Sequence, residues 1–94
     1  MIKSFADLET ELIWSGRRSR RLPPDIQTVA LRKLRLLNQA RVLNDLRVPP
    51  GNRLEALVGD RAGQHSVRIN DRWRICFFWI EGGPSHVTII DYHD

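Results

Sequence analysis

With 94 residues, 41% of them hydrophobic, the chain has room for one core, so residues 1–94 are read as a single domain. No apolar run approaches the roughly 20 residues that span a bilayer; the acid-bearing opening MIKSFADLETEL lacks a secretory apolar stretch; one Cys and three scattered His show no disulfide or zinc-ligand spacing. A cytoplasmic domain without cofactor or metal is expected, and the net charge of +4, with thirteen Arg among fifteen basic residues, favours a polyanionic partner, because the planar guanidinium suits phosphates and stacks on bases.

In chain order, MIKSF reads as a short opening strand. Ser4 followed by Asp7 resembles a capping box, predicting a helix from near Ala6 with Phe5, Leu8, Leu12 and Ile13 on its apolar side and Gly16 as its stop. RRSRR, residues 17–21, is an exposed basic run suited to RNA or an acidic partner, without specificity. LPPD then opens a second helix, with Asp25 at its positive end. Ile26, Val29, Ala30, Leu34, Leu37 and Ala40 keep helical spacing, and Arg32 and Arg35 fall on the opposite side. Lys33 lies within the apolar stripe, where its stem can pack while its ammonium reaches outward.

VPPGN, residues 48–52, is a turn cluster. Strand-like runs follow at 53–58, 65–70, 72–80 and 85–93, separated by GDRAG, an Asp-containing turn and EGGP. Short strands with brief connections predict an antiparallel meander, and two helices before them predict an α+β domain with its helices on one sheet face.

Alternation sorts the side chains. Val67 and Ile69 point one way, Ser66, Arg68 and Asn70 the other. Trp73, Ile75, Phe77 and Trp79 share a face; Arg74, Cys76, Phe78 and Ile80 share the opposite one. Three groups there have chemical potential. The end of the chain brings Asp91, Tyr92 and His93 together. Imidazole suits proton transfer near neutral pH, a carboxylate can orient it, and a phenol can bind phosphate or stack on a base. Arg53, Arg61, Arg68, Arg72 and Arg74 form the second group, able to grip a phosphodiester or to pair with Glu55, Asp60 and Asp71 as a solvated rim. Arg74 fits the rim least, being held in the most apolar strand. Glu55, on the side of Arg53, can accept a proton or neutralise the arginines.

The run NRLEALVGDRAGQHSVRINDRWRICFFW with a terminal IIDYH, together with MIKSF and PPGNRLEAL, resembles the HigB-type toxins of the RelE superfamily over nearly the whole chain. The resemblance implies a RelE-like microbial-RNase fold and ribosome-dependent, metal-independent cleavage of mRNA by attack of the 2′-hydroxyl on the adjacent phosphate. It also implies a helix-turn-helix antitoxin of HigA type as partner, in a heterotetramer of two toxins and two antitoxins, with operator DNA contacted only through the antitoxin. Arg74 matches the arginine of the family's WR motif, which contacts the reacting phosphate, and Asp91, Tyr92 and His93 match its terminal cluster. Glu55 stands where a HigB relative has histidine; related YoeB toxins have glutamate there and use it as the base. Val58 replaces a lysine of other members, leaving Arg53, Arg61 or Arg68 to bind phosphate and implying a weaker or more ribosome-dependent nuclease. The competing expectation is a ParE-like toxin that inhibits a target by binding without cutting RNA. Another is a plain nucleic-acid-binding domain with steeply salt-dependent affinity.

Overall fold

The computed structural model describes residues 1–92. Helix α1 is Leu8–Trp14 and helix α2 is Pro24–Gln39. Strands β1 (Glu55–Ala56), β2 (Gln64–Arg68), β3 (Trp73–Ile80) and β4 (Gly83–Asp91) form a four-stranded antiparallel sheet in the order β1-β2-β3-β4. The expected α+β meander is therefore the architecture, with both helices packed on the sheet through a common core.

Several local expectations are corrected. The opening segment is not a regular strand: Phe5 makes a single parallel bridge to Val87, flanked by hydrogen bonds from Lys3 N to Pro84 O (2.8 Å) and from Ala6 N to Val87 O (2.9 Å). Chain continuity permits no more, because Asp7 turns the backbone into α1. Asp7 is the N-cap, its carboxylate accepting from Thr10 N at 2.7 Å, so the helix begins at Leu8 rather than near Ala6. The second carboxylate oxygen of Asp7 accepts from the Thr88 hydroxyl, tying the helix start to β4. On α1, Ile13 is buried as expected, but Leu8 is 64% exposed and Thr10 occupies the core instead. The Thr10 hydroxyl accepts from Ile89 N at 3.0 Å, so burial there satisfies a backbone donor.

The prediction for α2 holds more closely. Pro24 and Asp25 open it, and Ile26, Ala30, Leu34 and Leu37 are buried against Val67, Ile75, Phe77, Val87 and Ile89 of the sheet. Lys33 does not reach solvent: it is 6% exposed, and its Nζ donates to Asn52 Oδ1. Burial, followed by repulsion from Arg32 and Arg68, holds its pKa below that of an ordinary lysine.

The strand expected at 53–58 survives only as Glu55–Ala56, because Pro50–Asn52 coils into a single 3-10 turn and Arg53 takes a left-handed conformation (φ 45°, ψ 56°). Between β3 and β4, Cys76 pairs with Thr88 and Phe78 with Ser85, so two β4 residues oppose Phe77 in a bulge that includes His86 at φ 53°. The turn into β4 needs glycine at position 83: its φ is 137°, and a Cβ there would collide with the carbonyl of Met1.

Candidate active site

The helices cover one face of the sheet. Glu55, Arg68 and Arg74 project from the other, whereas Asp91, in register with Trp73, projects from the helix-covered side. Cross-strand register places Glu55, Ser66 and Cys76 in one row and Arg68, Arg74 and Ile90 in the next. Partners in register project from the same side, so β1, β2 and β3 deliver Glu55, Ser66, Arg68 and Arg74 to one surface.

Arg74 is its fixed point. It is 8% exposed, and its Nε donates to Ser66 Oγ and its Nη2 to the Arg53 carbonyl, both at 2.6 Å. Neither partner is a carboxylate, and among the described residues Arg74 makes no ion pair. Its positive charge is thus held in place by neutral groups, and no carboxylate of the described residues neutralises it, an arrangement that favours an incoming anion. The Tyr92 ring lies beneath it, with the guanidinium carbon 6.0 Å from the ring centre.

The other candidates separate. Glu55 is exposed and makes no ion pair with a described residue. Burial drives the Cys76 thiol pKa up; Arg61 and Arg74 pull it down and Glu55 pushes it up. Arg61 donates from Nη1 to Gln64 Oε1 at 3.4 Å. Arg68 pairs with Asp71, as the rim reading anticipates. The Arg53 side chain is exposed, while its backbone carbonyl serves Arg74. Val58, at the position where the family resemblance led us to expect lysine, is 83% exposed.

At the end of β4, Asp91 meets Arg72 in a two-pronged contact: Arg72 Nε donates to its carboxylate at 2.9 and 3.0 Å and Nη2 at 2.7 Å. This carboxylate raises the Arg72 pKa further. The sequence pattern gave Asp91 to His93 and offered Arg72 only the rim carboxylates Glu55, Asp60 and Asp71; the cross-strand pairing of Trp73 with Asp91 is what brings Arg72 and Asp91 together. His93 lies outside the described residues, so its geometry relative to Asp91 is not part of the site described. The described residues also bring together no group of three or more His, Cys, Asp or Glu side chains suited to a metal ion.

A family model for HigB-like toxins, described as the RelE-like toxin of the type II toxin-antitoxin system HigB, matches residues 3–93. The chain is 42% identical to Toxin HigB-1 of Vibrio cholerae serotype O1, over 99% of this chain and 98% of that protein. This chain belongs to the HigB-like toxins. An uncharacterized protein of Haemophilus influenzae is also similar, 32% identical over 78% of this chain and 71% of its own length. Membership of a HigB-like family makes this chain the toxin of a type II toxin-antitoxin system and implies an antitoxin partner.

Two contributors to this HigB-like site were missed from sequence. Ser66 shares a face with Arg68 by alternation, and that was its only signal. The Arg53 carbonyl left none, since a backbone acceptor has no letter. The basic run 17–21 stands apart, on the connection between the helices. Ser19 is buried there, donating to Glu9 and accepting from the backbone of Arg21 and Leu22, while the arginines around it are exposed. No helix in the described residues is long and apolar enough to cross a membrane.

Proposed function

We propose that this HigB-like toxin is a ribosome-dependent, metal-independent mRNA endoribonuclease, and the observation that carries the reading is the fixed guanidinium of Arg74 on the open face, which no carboxylate of the described residues pairs. In the reaction, Glu55 accepts the proton of a ribose 2′-hydroxyl, whose oxygen attacks the adjacent phosphorus. The bond to the 5′-oxygen of the next nucleotide breaks, and His93, oriented by Asp91, donates a proton to that leaving oxygen. The products are a 2′,3′-cyclic phosphate, opened to a 3′-phosphate if water adds, and a 5′-hydroxyl. Arg74 stabilises the charge that builds on the phosphorane, and Tyr92 stacks on or positions the nucleotide. Arg53, Arg61 and Arg68 supply further phosphate contacts; Arg68 does so in competition with Asp71.

The two-pronged Arg72–Asp91 pair refines the role of Asp91. A carboxylate already engaged by a guanidinium can fix the course of the chain toward His93 while its remaining lone pairs stay available to an imidazole. The partners that follow are the ribosome, which presents the mRNA, and a HigA-type antitoxin in a two-to-two complex.

Cleavage of a defined mRNA with and without translating ribosomes tests the reading. Wild type is expected to cut only with ribosomes, leaving cyclic or 3′-phosphate ends, and His93→Gln to lose about two to four orders of magnitude in rate. Growth arrest by a folded protein that leaves mRNA uncut would replace this reading with a ParE-like toxin acting by binding alone.

A further inference from the structure

Arg74 owes its position to a turn that contains no candidate catalytic group. Asn52 is 1% exposed, and its side chain makes three hydrogen bonds: Nδ2 donates to the carbonyls of Leu46 (3.1 Å) and Val48 (3.2 Å), and Oδ1 accepts from Lys33 Nζ. Its own N–H donates to Pro49 O at 2.9 Å. The next residue, Arg53, is left-handed, its N–H donating to Pro50 O at 3.1 Å and its carbonyl accepting from Arg74 Nη2 at 2.6 Å.

A left-handed backbone at a bulky residue persists only where its surroundings enforce it. Here the enforcing contacts run from α2, through Lys33 and Asn52, to the turn. The consequence of that backbone is the direction of one carbonyl. With Ser66 holding Nε and Arg53 O holding Nη2, the guanidinium plane is fixed at two points, and Nη1 makes no hydrogen bond with a described residue.

We propose that Asn52 and the left-handed backbone of Arg53 are positioning elements for Arg74, with Lys33 as their anchor in the helical layer. The functional weight of the inference rests on Arg74 acting at the phosphate; its structural content does not. Arg53 thereby has two separable contributions: a side chain that any truncation removes, and a carbonyl whose direction depends on φ.

Asn52→Ala is the obvious variant, but it strands a buried ammonium and two carbonyls and can unfold the protein. The exposed Arg53 gives the cleaner test. Arg53→Gly keeps the left-handed conformation accessible, whereas Arg53→Val disfavours it; both lose the guanidinium alike. Exchange of the Arg74 Nη2–H with solvent is followed by NMR in both folded variants, with the resonance assigned by its disappearance in Arg74→Lys. Exchange is expected to be about tenfold faster in Arg53→Val than in Arg53→Gly, and Lys33→Met to accelerate it relative to wild type. In the ribosome-dependent cleavage assay, the two Arg53 variants should share one raised KM, while kcat falls about tenfold further in the valine variant. Equal exchange in the glycine and valine variants would overturn the proposal. Different exchange rates with no cleavage even by wild type would uphold the positioning device and overturn the nuclease reading instead.

Discussion

The two faces of β3 show how one strand is stabilised in two ways. Toward the helices, Ile75 and Phe77 are fully buried among apolar side chains of α2, β2 and β4. Toward the open face, Arg74 and Cys76 are also buried, but no helix covers them, and Arg74 is held by a hydroxyl and a carbonyl rather than by packing. Non-directional contacts tolerate repacking and contribute most of the stability. Directional hydrogen bonds contribute less net stability but set the orientation of a charge. The buried core and the proposed chemistry therefore lie on opposite sides of the same eight residues.

That contrast can be broken in a graded way. Phe77→Ala should remove about 3–5 kcal/mol of stability by opening a cavity in the covered face; urea unfolding measures it, and a loss below 1 kcal/mol would mean the core is not organised around this ring. Arg74→Met should do the reverse. Cleavage should fall about a hundredfold to a thousandfold, while unfolding free energy shifts by about 1 kcal/mol, since an apolar chain of similar length replaces a buried charge. A large stability loss with cleavage retained would reverse the division of labour between the faces.

Two titrations sharpen the comparison further, because they carry opposite signs. Cys76 has a folded pKa above its ordinary value of 9.0, so the unfolded chain gives up this proton first and stability falls as pH rises past 9. Lys33 has a folded pKa below its ordinary 10.5, so the unfolded chain holds the extra proton and stability rises with pH up to that value. Lys33→Met should remove the rising contribution and Cys76→Ala the falling one, both read from urea midpoints across pH 8 to about 11. A Lys33→Met profile parallel to wild type would show that the ammonium is not desolvated. The smallest effect concerns reactivity alone. Cys76, with no exposed surface, should label with a thiol reagent only as fast as the protein opens, and rapid labelling of the native protein would show that the open face is looser than described.

Legibility from the sequence followed the range of the interaction. Helix α2, the meander and the two faces of β3 were readable because period and turn chemistry are local, and the specific strings around Arg74 pointed to the HigB-like family. The errors came where a distant partner decided the outcome. Leu8 keeps helical spacing with Leu12, yet Thr10 takes the buried place because it can satisfy the backbone of Ile89. Lys33 was expected to reach water, yet Asn52 meets it inside. Asp91 was assigned to a sequence neighbour, yet strand pairing gives it Arg72.

By itself, the sequence determined helix α2 and its buried stripe, the strand meander, the two faces of β3 and the candidate side chains for phosphate chemistry, since these follow from periodicity, composition and residue type. Only the tertiary structure decided how Arg74 is held and by whom. Its holders are a serine on the neighbouring strand and a backbone carbonyl 21 positions away, aimed by a left-handed residue costing about 1–2 kcal/mol. A backbone direction is set by the contacts that enforce it, and those contacts exist only after the chain has folded.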